Sequence, residues 1–370
     1  AVINTGKCAI RLQHDFIIQH FMERFSSIFH EGEILPMTVR CGDTLLFQTL
    51  PVIAAGAAVG GKKEGEGPLA GDFDAVFEDT TMGMDSFELA ESAMLHDAAS
   101  RALANSGTAA SDVDFILCGD LLNQCIGSSF AVKDLQIPCV GLYGACSTMA
   151  LSLAVGSMLA DGGASCVLAG TSSHFCSSER QFRYPLEYGG QRPPSAQWTV
   201  TGAGCAVIKS EGSGVKIPAA SIGTICDLGI TDANNMGAAM APAAEKTIFD
   251  FLRDSGTSPS DYDLILTGDL GFTGSKLLYE LFEKEHGIDL RPFHNDCGLM
   301  IYDLKGQDVN SGGSGCGCSA SVLCSHILKE MHAGRLKKVL FVATGALMSA
   351  TSSKQGSTIP SVAHAVLLEV

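Results

Sequence analysis

Short runs of apolar residues without alternation mark the buried strands of this sequence. Phe115–Cys118 and Leu264–Thr267 are two such runs, and each follows a stretch whose apolar residues have helical spacing. Strands that are apolar at every position are typical of sheets covered by helices on both faces, as in parallel α/β sheets. The pattern therefore predicts an α/β fold with mainly parallel strands between helical layers.

The strongest regularity is an internal repeat. Ser106–Leu121 and Ser255–Leu270 are identical at 11 of 16 positions and begin 149 residues apart. A fainter match continues beyond them, because a helix rich in small residues begins at Cys146 in one half and at Cys318 in the other. The repeat predicts two duplicated α/β halves related by a near-twofold rotation, with the two matched segments as equivalent strands.

A turn of glycine and serine, Glu211–Gly214, separates the halves, so we predict one half at residues 39–212 and the other at residues 213–370. Residues 1–38 form an N-terminal extension with a different pattern. Its apolar residues recur at helical spacing, at Ile10, Ile17, Phe21, Phe25 and Ile28. Three interpretations stay open: an amphipathic helix for a membrane surface or partner, a helix packed on its own body, or translated sequence upstream of a start at Met37.

Composition and charge argue against some classes of protein and of partner. Hydrophobic residues make up 46% of the 370 residues and charged residues 17%, which favours a large buried core and excludes a disordered chain. The net charge is −16 and the basic residues form no cluster, which argues against nucleic acid as a partner. An anionic ligand would therefore depend on hydrogen-bond donors within a local pocket.

The cysteines and the apolar runs indicate where in the cell the protein is expected. The 14 cysteines include no Cys-x-x-Cys pair and mostly lie in apolar stretches, which predicts reduced thiols, no metal site and no cofactor. No apolar run is long enough to span a membrane, and no signal-peptide pattern is found. We therefore expect an intracellular protein without a transmembrane segment.

Cys146 is the first candidate for chemistry. An apolar strand at Cys139–Leu142 leads into a turn of small residues, and a helix begins at or just after Cys146. The positive end of a helix dipole lowers the pKa of a thiol, and this is the position that a nucleophilic cysteine needs. The alternative is a buried cysteine selected for its size. We expect Cys146 on the floor of a cleft between the two halves.

The long polar segment Ser172–Thr199 is the second candidate. It contains Arg180, Arg183 and Arg192 together with aromatic side chains. Guanidinium groups bind carboxylates through paired hydrogen bonds, and aromatic rings stack on flat ligands, so this mixture suits an aromatic dicarboxylate. The alternative is an interface or lid loop held by Arg–Glu pairs, with Glu179 and Glu187 as the partners.

The glycine-rich segment Ser311–Ser319 precedes the second small-residue helix. Its backbone N–H groups, around Ser314 and Gly315, can bind an anion. It is neither a phosphate-binding P-loop nor a dinucleotide fingerprint. Asp120 and Asp269 are related by the repeat, and we expect them to cap or bridge their turns symmetrically.

Three polar residues are further candidates for the site. His174 follows a strand of the first half, and His294 and Asn295 precede the glycine-rich segment. The alternative for each is a structural hydrogen bond. His364 lies in an apolar terminal strand, which predicts a core histidine.

Nine segments carry a family resemblance: Lys63–Leu69, Gly119–Gln124, Gly144–Thr148, Glu179–Pro185, Glu187–Gln191, Asp227–Asp232, Met240–Ala244, His294–Met300 and Gly312–Cys316. In this order, along residues 40–370, they resemble the stage V sporulation protein AD (SpoVAD) family. That family is similar in turn to the thiolase and ketoacyl-synthase superfamily. Residues 1–38 lie outside the resemblance.

The resemblance implies a thiolase-like fold of duplicated α/β halves in α-β-α-β-α layers. It also implies binding of dipicolinic acid (pyridine-2,6-dicarboxylate), with calcium as a candidate companion, during spore uptake and germination. The expected location is peripheral at the spore inner membrane, with the other SpoVA membrane proteins as partners. A homodimer is the default of the superfamily, and the superfamily nucleophile falls on Cys146.

Two catalytic positions of the superfamily do not match. Condensing enzymes place a histidine just after the first strand of the second half, where this chain has Thr267–Asp269, and a further His or Asn in the glycine-rich segment. A cysteine without a positioned base cannot readily transfer protons. We therefore expect ligand binding on a catalytically degenerate scaffold. The alternatives are a coenzyme A-dependent acyltransferase or condensing enzyme using Cys146, with His174 or His294 as base, and a scaffold for membrane partners.

Overall fold

The computed structural model describes residues 38–182 and 191–370. The predicted N-terminal helix and Arg183 therefore lie outside the described residues. The strands of the described part are β1 (Val39–Cys41), β2 (Thr44–Leu46), β3 (Val52–Gly61), β4 (Ala75–Phe77), β5 (Phe115–Gly119), β6 (Cys139–Gly141), β7 (Cys166–Ser173), β8 (Trp198–Thr199), β9 (Gly202–Lys209), β10 (Val215–Ile222), β11 (Leu264–Thr267), β12 (His294–Asp296), β13 (Gly313–Ser314), β14 (Lys338–Ala346) and β15 (Ser361–Glu369).

The helices of the described part are α1 (Phe87–Ser106), α2 (Ile126–Val132), α3 (Thr148–Asp161), α4 (Phe175–Phe182), α5 (Met236–Ser255), α6 (Gly271–His286), α7 (Cys297–Met300), α8 (Cys316–Val322), α9 (Leu328–His332) and α10 (Ala350–Lys354). A π-helical segment, Leu323–Ile327, joins α8 to α9. Left-handed glycines end the two long repeat-related helices, Gly107 after α1 and Gly256 after α5.

The strand order shows the duplication. The main sheet runs β12-β11-β14-β15-β10-β3-β9-β7-β5-β6. β11 is the second strand from one end of this order, and β5 is the second strand from the other end. Each lies between two parallel neighbours. The prediction that the two repeat segments form equivalent strands is therefore confirmed.

The sheet is mixed, so the prediction of mainly parallel strands was wrong. β9 is antiparallel to both β3 and β7, and β15 is antiparallel to both β10 and β14. Parallel neighbours need a crossover connection, usually a helix, whereas antiparallel neighbours do not. β9 and β15 are buried along almost their full length in spite of this direction. An apolar run therefore predicts a strand covered on both faces, but it does not distinguish parallel from antiparallel neighbours.

Five layers follow from the helix packing. α1 packs on β3 and β9 outside one half of the sheet, and α5 packs on β14 and β15 outside the other half. α3 lies between the halves, where it contacts β7 and β15, and α8 packs beside it on β9. This middle layer contains a continuous apolar core that includes Leu153, Ile208 and Phe341. The fold is the thiolase-like α-β-α-β-α arrangement.

The apolar core of the middle layer provides a test of packing. Ile208 is fully buried on β9, and Ile208→Val is expected to lower the free energy of unfolding by about 1 kcal/mol because it removes a buried methylene. Ile225→Val is the matched control, since Ile225 is 67% exposed, and its effect should stay below about 0.5 kcal/mol. Urea denaturation measures both values, and equal losses would contradict the assigned burial.

Candidate functional site

Cys146 lies in a sharp turn between a strand and a helix. β6 ends at Gly141, and the turn Ala145–Ser147 leads directly into α3. Ala145 has a φ of 50°, in the left-handed region, which is uncommon for residues other than glycine and costs about 1 kcal/mol. This turn fixes the Cys146 side chain in the interior, where the residue is 5% exposed.

A small cavity lies beside Cys146. Its volume is about 30 Å³, and its walls come from both halves of the chain, with Leu121 and Tyr143 from one half and Ser314 and Met348 from the other. α4 adds a further wall through Ser178 and Phe182. This volume holds about one water molecule. A larger ligand therefore enters only if one of these walls moves.

Asp269 is the central polar group behind the cavity. Its carboxylate accepts hydrogen bonds from the backbone N–H of Gly315 at 2.8 Å and from the hydroxyls of Thr344 and Ser314 at 2.9 and 3.3 Å. The pKa of Asp269 is raised, because burial outweighs the opposing effect of hydrogen bonds from the thiol of Cys146 and from these groups. Cys146 therefore faces a carboxylate.

The expected symmetry between Asp120 and Asp269 was wrong. Asp120 accepts from the backbone N–H groups of Leu122 and Ser128 and from the Ser128 hydroxyl, so it binds the first turn of α2 and the segment just before it. Asp269 instead joins segments that are distant in sequence.

This arrangement affects the chemistry available to Cys146. A neighbouring carboxylate disfavours the thiolate, whereas a protonated histidine favours it. The helix start at α3 favours the thiolate, and the carboxyl group of Asp269 opposes it. Hydrogen bonding to a ligand suits this group of Cys146, Asp269 and Ser314 better than nucleophilic attack.

The two described arginines of the polar segment lie away from the cavity. Arg180 forms an ion pair with Glu88 on α1. Arg192 forms an ion pair with Asp308 at 3.2 Å, and its guanidinium lies 4.5 Å from the ring centroid of Trp198. Neither side chain lines the cavity at Cys146. Their contacts match the alternative of a segment held by ion pairs, although with other carboxylates than Glu179 and Glu187.

The candidate histidines are held in separate hydrogen-bond pairs. His174 bonds the carbonyl of Thr80 at 2.9 Å, and His294 lies between the hydroxyls of Thr267 and Tyr279, both at 2.9 Å. Burial lowers the pKa of both histidines, that of His294 to about 3. Neither lines the cavity, so the structure does not bring them to Cys146.

The remaining candidates divide into two groups. Ser314 lines the cavity. The N–H of Gly315 donates to the Asp269 carboxylate, so the acidic group bound at this backbone turn belongs to the chain itself. The side-chain oxygen of Asn295 accepts the N–H of Asp296 at 2.8 Å, away from the cavity. His364 lies in the terminal strand β15, where its Nδ1 accepts the N–H of Gly223 at 3.2 Å, as expected for a core histidine.

The described ranges contain neither a metal-binding cluster nor a membrane-spanning helix. Residues 38–182 and 191–370 contain no group of three histidine, cysteine or acidic side chains placed to hold a metal ion. Within the same ranges, the helices are all too short or too polar to cross a bilayer.

Comparisons with known proteins identify the family and the fold. Residues 41–369 match the family model for Stage V sporulation protein AD (SpoVAD). The chain is 46% identical over 319 residues to stage V sporulation protein AD of Bacillus subtilis (strain 168), an alignment that covers 86% of this chain and 94% of that protein.

Solved structures of low identity share the fold. The 3-oxoacyl-[acyl-carrier-protein] synthase III of Aquifex aeolicus is 13% identical, with a TM-score of 0.52 over 86% of this chain and 100% of that one. A variant of OleA from Xanthomonas campestris is 14% identical, with a TM-score of 0.55 over 88% and 99% of the two chains. The chain therefore belongs to the stage V sporulation protein AD (SpoVAD) family, and its fold is thiolase-like.

Proposed function

We propose that this sporulation protein binds dipicolinic acid without converting it, as a peripheral part of the SpoVA uptake and release system at the spore inner membrane. The observation that carries the proposal is the contact between Cys146 and Asp269. The stretch Thr267–Asp269 has no histidine where condensing enzymes place theirs, so the scaffold keeps a cavity between its halves without the expected base. Other SpoVA membrane proteins and a second copy of the chain are the proposed partners.

The proposed site must open to admit a pyridine dicarboxylate, because a cavity of about 30 Å³ is far too small for it. α4 is the wall that we expect to move. Its Ser178 hydroxyl is buried without a hydrogen-bond partner and lines the cavity, so it is available to a ligand carboxylate. Arg183 directly follows Phe182, the last residue of α4, and is the proposed charged partner.

The charge of Asp269 affects whether dipicolinate binds alone or together with calcium. A dianion placed beside Asp269 is repelled if that carboxyl is ionised. Burial raises the pKa of Asp269, and a protonated Asp269 would remove the repulsion. Calcium that enters with dipicolinate would offset the same charge, since it takes carboxylate oxygens as ligands. We therefore expect tighter binding of dipicolinate when calcium is present.

Arg183→Ala is expected to weaken dipicolinate binding by about 10- to 100-fold, because it removes a charge-assisted hydrogen bond. Isothermal titration calorimetry with and without calcium measures the change. Arg180→Ala and Arg192→Ala are matched controls, since both side chains are paired away from the cavity, and each should change Kd by less than about threefold. Cys146→Ala should have a smaller effect than Arg183→Ala, because no covalent step is proposed.

Two outcomes would contradict this proposal. The first is a wild-type chain that binds no dipicolinate at millimolar ligand, which would favour the scaffold alternative. The second is acyl exchange with coenzyme A thioesters that Cys146→Ala abolishes. That result would establish the acyltransferase or condensing enzyme, which the shared fold with an acyl-carrier-protein synthase keeps as the second candidate.

A further inference from the structure

Two apolar side chains cover the thiol of Cys146. Cys146 belongs to a small cluster of buried apolar side chains that is distinct from the three larger cores. Among the residues that the structure describes, the partly buried apolar side chains packed against this cluster are Phe182, at the end of α4, and Leu347, just after β14. Phe182 also lines the cavity. One side chain from each half of the chain therefore closes the cavity.

Leu347 is the fixed member of this pair. Its backbone N–H donates to the carbonyl of Pro360 at 2.7 Å. The residue before it, Ala346, pairs with Ser361 in the ladder between β14 and β15. β15 is a central strand with β10 on its other side, so Leu347 cannot shift without breaking hydrogen bonds at the end of this ladder.

The first turn of α4 is firmly held. The backbone N–H of Phe175 donates to the Thr201 hydroxyl at 3.1 Å, and the ring of Phe175 stacks on Trp198 with 3.9 Å between the centroids. The Ser177 hydroxyl donates to the buried carboxyl group of Glu91 at 2.7 Å. These contacts join the beginning of the helix to both β8 and α1, so this end of α4 stays in place.

The last turn of α4 is held more weakly. Glu179 is buried and accepts from the Thr199 hydroxyl at 2.9 Å. Beyond Glu179, the polar contact that joins α4 to another described element is the ion pair of Arg180 with Glu88 on α1, whose side chains are 47% and 34% exposed. Water and salt screen an ion pair with this exposure, so it contributes little to stability. The end of α4 is therefore the part of the cover that can move.

We propose that Phe182 is the gate of the Cys146 cavity, that Leu347 is its fixed stop, and that the ion pair between Glu88 and Arg180 is its latch. This inference rests on the proposed function and names the residues that control entry to the same site. When the last turn of α4 swings outward, the phenyl ring leaves the apolar cluster and opens a passage beside Leu347. The closed state predominates because opening exposes the ring to water. The apolar border of the passage favours a ligand with an apolar face, such as an aromatic ring.

Alkylation of Cys146 by iodoacetamide in the full-length chain, followed by peptide mapping, measures how often the gate is open. Phe182→Ala should raise this rate about tenfold, because the closed state loses the contact of the phenyl ring with the cluster. Phe182→Leu keeps part of that contact and should give an intermediate rate. Phe272→Ala is the matched control and should react at the wild-type rate, since Phe272 is 61% exposed at the start of α6 and does not line the cavity.

Reagent size separates a gate from a change in the thiol itself. N-ethylmaleimide is bulkier than iodoacetamide, so Phe182→Ala should accelerate its reaction with Cys146 by a larger factor. An increase in the thiolate fraction of Cys146 would instead accelerate both reagents by the same factor. Glu88→Gln breaks the latch and should raise the rate about twofold, and the variant should lose the increase with salt that the wild type shows.

The alkylation rates need no dipicolinate, so they test the gate separately from the proposed function. Equal rates for the wild type and folded Phe182→Ala, or the same acceleration with both reagents, would overturn the gate. Protection of Cys146 by dipicolinate in Phe182→Ala would support the gate and the ligand together. A confirmed gate without such protection would contradict dipicolinate as the ligand and leave the gate in place.

Discussion

Asp269→Ala is expected to lower the free energy of unfolding by about 4 kcal/mol. The Asp269 carboxylate is fully buried and, besides its contact with the Cys146 thiol, accepts hydrogen bonds from the N–H of Gly315 and the hydroxyls of Ser314 and Thr344. Each buried donor left without an acceptor costs about 1–3 kcal/mol. Three such donors would sum to about 3–9 kcal/mol. The hydroxyls can rotate toward other acceptors, whereas the N–H of Gly315 is fixed by the backbone, so the expected loss lies near the lower end of this range.

Urea denaturation followed by circular dichroism measures this loss. Asp269→Asn keeps one carbonyl acceptor in the same place and should lose about half as much. Asp227→Ala is the surface control, because Asp227 accepts from Gly229 and Thr358 on an exposed loop where water replaces the lost contacts. Similar losses for the Asp269 and Asp227 variants would show that the buried hydrogen bonds of Asp269 do not stabilise the fold.

The fold was predictable because its signal is local and repeated. The match of Ser106–Leu121 with Ser255–Leu270 identified two equivalent strands, and β5 and β11 indeed occupy equivalent positions in the sheet. Strand direction was not predictable in the same way. A strand such as β9 is apolar because both of its faces are covered, and that condition holds for parallel and antiparallel neighbours alike.

The site was predictable only where it is built from one segment. The position of Cys146 follows from a strand, a turn and a helix within a few residues. Asp269 meets it across 123 positions of sequence, and no local pattern encodes that contact. The repeat even misled here, since Asp120 serves its own segment while Asp269 faces the other half.

The arginines illustrate the same limit. Local spacing suggested Glu179 and Glu187 as partners, yet Arg180 pairs with Glu88 and Arg192 pairs with Asp308. Charged side chains choose partners by proximity in the fold, and both carboxylates come from distant parts of the chain.

A rise in pH is expected to destabilise the protein through Glu91. This glutamate lies on α1 with no exposed surface, and its carboxyl oxygens accept from the hydroxyls of Ser177 at 2.7 Å and Ser172 at 3.3 Å. Burial, together with the nearby carboxylate of Asp120, raises the pKa of Glu91 from 4.5 to about 8. The folded chain therefore keeps a proton here at a pH where the unfolded chain has lost it.

The direction of the effect follows from this proton. Glu91 is protonated in both states below pH 4.5 and ionised in both above about 8, so its contribution changes only between these values. Within that window the folded state holds the extra proton, and the free energy of unfolding falls as the pH rises. The slope is about 1.4 kcal/mol for each pH unit, which amounts to about 3 kcal/mol between pH 5.5 and 8.

Glu91→Gln isolates this contribution, because glutamine keeps an acceptor for the two serines and does not titrate. Urea denaturation at pH 5.5 and pH 8 should show the wild type losing about 3 kcal/mol more than the variant. Burial also raises the pKa of Glu64, Asp269 and Asp296, but these groups remain in both proteins and cancel from the difference. Parallel pH dependences in the two proteins would mean that Glu91 is already ionised in the folded state, stabilised by its two serines against the cost of burial.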